Sequence, residues 1–345
     1  MKIAIIGDTH FGARGDAPIF LNHFLKFFEE QFFPYLKEHG ITKVIHLGDL
    51  FDRRKFINFN TLHHVRNRFI NWFETNGVEL HCILGNHDVF YKNTNRLNSP
   101  KEILSDCHSS FHLYEEPTEV CFNGATILML PWINEENQER FMQIIKDTRA
   151  TILAGHLELN GYEVMAGVKF SDGMDDQFLE KFDLVLSGHF HKKSSKGNIH
   201  YLGTQYQMTS VDTNEIKGFH ILDTETRELQ FVPNPNKMFR NIEWRNKVLI
   251  PDFDPNKYKG TYVKVIVYEK KSELEFDKFL DMLYAAEPAG VSIIEDYSDR
   301  TTEDTEIDIG EDTLTLINKE IDAMETEGSE ELKNMVREIY MESLD

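Results

Sequence analysis

Five apolar runs in this 345-residue chain each end in glycine followed at once by a residue able to bind metal. They close in Gly7-Asp8, Gly48-Asp49, Gly85-Asn86, Gly155-His156 and Gly188-His189. The runs themselves, over 2–6, 43–47, 78–84, 151–154 and 184–186, are short and rich in β-branched residues, which predicts strands. Amphipathic patterns separate the first three. Phe20, Phe24, Phe27, Phe28 and Phe32 recur at helical spacing until Pro34, which is expected to bend or end that helix. Leu62, Val65, Phe69 and Trp72 mark a second helix. Strand–helix alternation predicts a parallel sheet with helices on its faces, and such sheets bind ligands beyond the carboxyl ends of their strands. The motifs lie at those ends.

Gathered from these ends, Asp8, His10, Asp49, Asn86, His156, His189 and His191 form a mixed oxygen and nitrogen set. It suits manganese, iron or zinc better than calcium, and the lack of cysteine argues against a structural zinc knot. Seven ligands are too many for one ion with an open position. They suffice for two ions about 3.5–4 Å apart that share a carboxylate, hold a phosphate between them and activate water for in-line attack. The leaving oxygen then needs a proton, and His87, beside Asn86, is the expected general acid. Asp52 or Asp88 is expected to accept a hydrogen bond from its other ring nitrogen. A single Asp-x-His is more often a satisfied loop pair. Five such motifs in succession, each behind a strand, outweigh that reading.

The remaining chain divides by composition. Asn123-Gly124 between 119–122 and 125–130 signals a hairpin, Ser99-Pro100 a helix start, and 141–145 a helix. Further strands are expected at 199–202, 218–222 and 228–232. A proline and asparagine linker at 233–235 separates a first domain, 1–232, from a second, 236–297. There 262–268 and 291–294 read as strands and 274–283 as a helix, with no ligand cluster. The acidic stretch 298–312 reads as a linker. Over 313–345, Leu314, Ile317, Ile321 and Met324, then Leu332, Met335, Val336 and Ile339, form two helical stripes separated by Gly328-Ser329. Two short helices cannot bury such stripes alone, which implies a partner.

Net charge is −21, which at first opposes a nucleic-acid partner. Residues 295–345 carry −14 of it, and several remaining acids fall in the metal motifs, so the first domain is not excluded from DNA. No apolar run is long enough to span a membrane. Cys82, Cys107 and Cys121 follow no zinc spacing and read as reduced thiols, which implies a cytoplasmic protein.

The series Asp8-x-His10, Gly48-Asp49-x-x-Asp52, Gly85-Asn86-His87-Asp88, Gly155-His156 and Gly188-His189-x-His191 resembles the calcineurin-like metallophosphoesterase superfamily over roughly the first 220 residues. The resemblance implies a four-layer α/β sandwich with a small α/β cap domain and a C-terminal helical pair. It assigns Asp8, His10 and His191 to one ion, Asn86, His156 and His189 to the other, Asp49 to both, and catalysis to His87. Residues spaced i, i+2 on a strand face opposite ways. For His189 and His191 to reach one centre, the backbone is therefore expected to leave the strand at Gly188, with Phe190 anchoring the turn. Within the superfamily the opening motif and Gly48-Asp49-Leu50-Phe51-Asp52 are similar to SbcD-type nuclease subunits of double-strand-break repair complexes. That likeness implies an exonuclease with endonuclease activity, two Mn²⁺ ions, DNA ends and single strands as substrates, and an SMC-like coiled-coil ATPase that receives the terminal helices. It also implies a homodimer within a heterotetramer.

Basic clusters follow the motifs: Arg53, Arg54 and Lys55; Lys92 and Arg96; Lys192 and Lys193 with Lys196. They are expected to face phosphates flanking the scissile bond. Two other readings compete. Asp52-Arg53 also matches protein Ser/Thr phosphatases, which makes a phosphomonoesterase the enzyme alternative. A scaffold with decayed chemistry is the third reading, disfavoured by the complete ligand set and by His87.

Overall fold

The computed structural model describes residues 1–104, 109–165, 167–245, 253–270 and 272–295, with Ile321 and Lys333 beyond them. The strands in chain order are β1 Lys2–Ile6, β2 Lys43–His46, β3 Glu79–Ile83, β4 Phe111–Tyr114, β5 Thr118–Phe122 and β6 Ala125–Leu130. There follow β7 Ile152–His156, the short pair β8 Glu163–Met165 and β9 Val168–Lys169, then β10 Leu184–Gly188, β11 Ser194–Lys196 and β12 Ile199–Tyr201. The set closes with β13 Gly218–Asp223, β14 Leu229–Pro233, β15 Phe239–Arg245, β16 Tyr262–Glu269 and β17 Gly290–Glu295.

Two six-stranded sheets result, ordered β14-β13-β1-β2-β3-β4 and β11-β12-β10-β7-β6-β5. Alternate residues of β1 serve different cores, as strand geometry requires. Ile3 and Ile5 join Ile45, Ile83, Ile127, Ile152 and Leu186 between the sheets. Ala4 and Ile6 join the phenylalanine-rich helices on the outer face. A second outer core, containing Phe141, Val185 and Tyr201, covers the other sheet. Helix, sheet, sheet and helix make the four-layer sandwich. The parallel strands β1, β2 and β3 of one sheet and β7 and β10 of the other carry the five motifs at their carboxyl ends.

Helical structure does not stop at Pro34. It runs over Pro18–Phe27, widens by a π-type stretch at Phe28–Phe32, and resumes over Phe33–Glu38. Proline cannot supply the usual amide, and the wider turn ahead of it lets the chain stay helical. The face stays buried, with Phe33 stacked on Trp72 at a centroid distance of 4.0 Å.

Strands β15, β16 and β17 form a parallel three-stranded sheet in that order, with the helix Glu273–Ala285 between β16 and β17. Sequence periodicity located β16, the helix and β17 but not β15, whose Ile242 and Trp244 point inward while their neighbours are exposed. Tyr262 and Phe239 pack on Phe20 of the first core. Of the two terminal stripes, Leu314, Ile317, Met324, Leu332, Met335, Val336 and Ile339 lie outside the described residues. Ile321, expected on a face awaiting a partner, is only 4% exposed within the chain itself. Among the described residues, no helix is long and apolar enough to cross a membrane.

Candidate metal centre

Seven side chains from the ends of β1, β2, β3, β7 and β10 converge on one point. His10 Nε2 lies 3.0 Å from His191 Nε2. Asp8 Oδ1 accepts the His189 amide at 2.8 Å, while its Oδ2 is buried and accepts no hydrogen bond. Asn86 Oδ1 stands 2.9 Å from His156 Nε2 and 3.0 Å from His189 Nδ1. Asp49 sits between these groups, its Oδ2 3.5 Å from His10 Nε2 and 3.4 Å from His156 Nε2. Its Oδ1 accepts the His87 amide at 2.8 Å. Donor atoms of Asp8, His10 and His191 fall within 4.8 Å of one another, as do those of Asp49, His156 and His189.

The backbone is bent to achieve this. Asp8, His10, Asp49 and His189 hold positive φ values of 49°, 41°, 54° and 83°. Each such conformation costs a non-glycine residue about 1–3 kcal/mol and persists where the surroundings enforce it. At the His189 turn the sequence expectation needs correction. Gly188 stays in the strand and His189 itself makes the bend. Gly188 is required for closeness instead. A Cβ there would lie 2.7 Å from the Leu47 carbonyl oxygen and 2.8 Å from Asp8 Oδ2. Phe190 is buried against Tyr201, with ring centroids 4.5 Å apart, and anchors the turn as expected.

Electrostatics follow from packing carboxylates among imidazoles away from water. Burial disfavours charge on Asp49, but His156, His87 and His10 outweigh it and hold the carboxyl well below its usual range. Burial likewise opposes protonation of His10, yet the nearby carboxylates of Asp52, Asp49 and Asp8 lift it to about 9. His156 also rises to about 9, against burial, through Asp49 and Asp8. Asp8 is raised, mainly by burial. His191 is pushed well down by burial and by the neighbouring His10.

A pair of divalent cations fits this donor set. His10 and His191 aim ring nitrogens at each other, which requires a shared proton or a shared cation. A carboxylate oxygen of Asp8 lies within 4.8 Å of donor atoms of both rings, and Asp8 Oδ2 has no hydrogen-bond partner. His156 Nδ1 is bonded to the Leu47 carbonyl at 2.7 Å, the kind of outer bond that fixes a metal-binding imidazole and leaves Nε2 for an ion.

His87 stands beside the group, its ring 4.9 Å from that of His10. Its Nδ1 donates to the main-chain carbonyl of Asp52 at 2.6 Å, so Asp52 does hold His87, though not with its carboxylate. That carboxylate faces His10 Nδ1 at 3.5 Å. Asp88 does not reach His87. Its oxygens accept the amides of Asp49, Leu50 and Gly85 at 2.8–2.9 Å and thereby pin the β2 and β3 loops together.

A cleft of about 450 Å³ opens over Asp49, Asn86, His87, His189 and His191. Arg54, Lys92 and Lys192 line it, though the Lys192 ammonium is paired with Glu163. Arg53 borders an adjoining hollow with His10, Asp52 and His87, but its guanidinium is bonded to Asp16 at 3.0 Å. Arg96 pairs with Glu136 and Lys193 covers the Phe231 ring, so both fall outside the cleft. Sequence reasoning missed Arg14, which reaches the same hollow from a left-handed turn (φ 56°) and bonds the Met208 carbonyl. It also missed Trp132 and Glu158, which flank His189. No motif marked them. Lys217, buried, bonds the His191 carbonyl at 2.8 Å and was equally silent in the sequence.

With this site on this sandwich, the chain belongs to the calcineurin-like phosphoesterase family, which it matches over residues 1–193. It is 34% identical over 308 residues to exonuclease subunit 1 of Enterobacteria phage T4, spanning 87% of this chain and 88% of that one. It is also 23% identical over 251 residues to a subunit of nuclease SbcCD from Staphylococcus epidermidis, spanning 68% of this chain and 60% of the relative. The corresponding protein of Staphylococcus saprophyticus matches over 131 residues at 24% identity, 35% of each chain.

Proposed function

We propose that this phosphoesterase is a metal-dependent DNA nuclease, cutting phosphodiester bonds as exonuclease and endonuclease in recombination and repair. The observation that carries the reading is the position of Asp49 Oδ2, 3.5 Å from an imidazole of one group and 3.4 Å from an imidazole of the other, with His87 alongside. The likeness to exonuclease and SbcCD nuclease subunits supports DNA as substrate. Two bound divalent ions, manganese being the expected metal, would supply Lewis acidity at the phosphate and a nucleophilic water. Asp8, His10 and His191 would hold one, Asn86, His156 and His189 the other, with Asp49 shared.

The chain's own groups do the rest. Arg54, bonded to the Asn86 carbonyl at 2.7 Å, and Lys92 present positive charge to the DNA backbone, and Lys192 would join them on leaving Glu163. The Asp52 carbonyl keeps the proton of His87 on Nδ1, which leaves Nε2 for transfer to the leaving oxygen in its protonated form. Residues 236–297 serve as a cap that orients DNA, 298–312 as a linker, and 313–345 as the docking segment for an SMC-like ATPase. In this reading two copies pair within a heterotetramer in the cytoplasm.

The test is hydrolysis of end-labelled duplex and single-stranded DNA by the chain with its ATPase partner, with and without manganese and ATP. Cleavage that requires manganese and vanishes in His87→Ala supports the proposal. Intact DNA alongside rapid turnover of phosphopeptides would replace it with a phosphatase. Deletion after Gly310 should abolish co-purification with the ATPase while hydrolysis of a small phosphodiester survives.

A further inference from the structure

A second group of imidazoles and a carboxylate lies at the amino end of β3, on the far side of that strand from Asn86. Glu79 and His81 are two apart on β3 and share a face. His112 on β4 is the direct register partner of His81. The two rings stack with centroids 4.8 Å apart.

Their donor atoms are set as a coordination shell would set them. Glu79 Oε2 is 3.2 Å from His81 Nε2 and 3.5 Å from His112 Nε2. Ligands of a tetrahedral zinc ion, bound at about 2.0–2.1 Å, stand roughly 3.4 Å apart. All three donor atoms lie within 4.8 Å of one another.

An independent observation points the same way. The His81 side chain is only 6% exposed, and its Nε2 makes no aligned hydrogen bond, its one close polar neighbour being Glu79 Oε2 at 3.2 Å. A buried imidazole nitrogen without an aligned partner is costly, and a cation at the centre of the three donors would satisfy it. The other nitrogen, Nδ1, is 2.7 Å from the Tyr114 hydroxyl. That is the outer bond a metal-binding histidine ordinarily makes. Burial, with His112 adding to it, lowers the His81 pKa to about 4, which leaves the ring neutral at ordinary pH. Lys43 pairs with the other carboxylate oxygen, Oε1, and leaves Oε2 facing the rings. The His112 side chain is 40% exposed and keeps the group open to solvent.

We propose that Glu79, His81 and His112 form a separate zinc site that clamps the edge strand β4 to β3. Two imidazoles and one carboxylate, with a position open to water, suit Zn²⁺ better than Mg²⁺ or Ca²⁺. This site takes no part in hydrolysis.

The experiment is equilibrium dialysis of the full chain against Zn²⁺, followed by metal analysis. His112→Ala and Glu79→Gln should each retain one equivalent of zinc less than the unsubstituted chain. Manganese-supported hydrolysis of a small phosphodiester should be unchanged in His112→Ala. Equal zinc content in the unsubstituted chain and both variants would overturn the assignment. So would a loss of zinc in His112→Ala that is matched by a loss of hydrolysis, since the metal would then belong to the centre around Asp49.

Discussion

The two ends of β3 gather the same kinds of side chain by different means. At its carboxyl end, Asn86 meets six other residues at the ends of four other strands, four of them in left-handed conformations. At its amino end, Glu79, His81 and His112 meet on regular backbone, by strand alternation and register alone. The first arrangement needs strain, close approach and burial, and it opens into a cleft wide enough for a substrate. The second buries His81 but needs neither strain nor close backbone approach, and has only the flank of a sheet edge. Bent loops let a site choose directions for seven donors. A sheet surface offers donors only where neighbouring strands happen to align them, which suits a clamp better than a reaction.

The sharpest way to break this contrast is at Asp49. If its Oδ2 serves both groups of the centre, Asp49→Asn should bring metal-supported hydrolysis below detection and lower manganese content. The zinc equivalent at Glu79 should persist. Metal analysis alongside a phosphodiester assay reads both. His87→Ala should cost less, roughly 10²–10⁴-fold in kcat, because it removes proton transfer and no ligand. Manganese content should not change in that variant. A loss of metal along with activity would make His87 a ligand and not an acid.

Gly188→Ala probes the close approach itself. The added methyl meets the Leu47 carbonyl oxygen and Asp8 Oδ2, at 2.7 and 2.8 Å, on two elements that cannot both move. Overpacking of this kind costs about 1–3 kcal/mol, and denaturant unfolding should report it. Manganese affinity should fall as well, since Asp8 is displaced. At the amino end of β3 no glycine stands in such a position among the described residues, so the comparison is clean.

The same contrast explains what the sequence could disclose. The residues that converge at the carboxyl ends were legible because glycine punctuates each strand just before them, a one-dimensional signal. Alternating strands and amphipathic helices leave periodic traces too, and these disclosed a parallel sheet with helices on its faces, whereas the two-sheet sandwich came only from the family resemblance. Side-chain allegiance was not. Asp88 is close to His87 in the chain, but its oxygens lie where loop amides need an acceptor. Asp52 contributes its carbonyl to His87 and its carboxylate to His10, a division no motif encodes. Gly188 reads as a hinge in one dimension, whereas its constraint is distance to β1 and β2 loops far away in sequence. Arg96 and Lys193 sit near motifs in the chain yet turn to Glu136 and Phe231, because local charge and ring faces capture them first. The Glu79 group left no trace at all. Its third member, His112, is far along the chain from His81, and only the β3–β4 register joins them.

Tyr114→Phe has the smallest expected effect and discriminates most finely. If His81 carries its proton on Nδ1 and donates to the Tyr114 oxygen, Nε2 is free for zinc and the hydroxyl orients the ring. Removing the hydroxyl should then weaken zinc binding at this group about tenfold, the lower end for loss of an outer partner. Stability should change by only about 1 kcal/mol. If Tyr114 donates to Nδ1, the proton sits on Nε2 and points toward Glu79, and the cluster is a plain ion pair held by Lys43. Zinc affinity would then be absent in both forms of the chain. Hydrolysis should be the same in either case, because the group touches nothing in the cleft around Asp49. A zinc titration of the two proteins therefore decides whether the amino end of β3 holds a metal or only resembles an end that does.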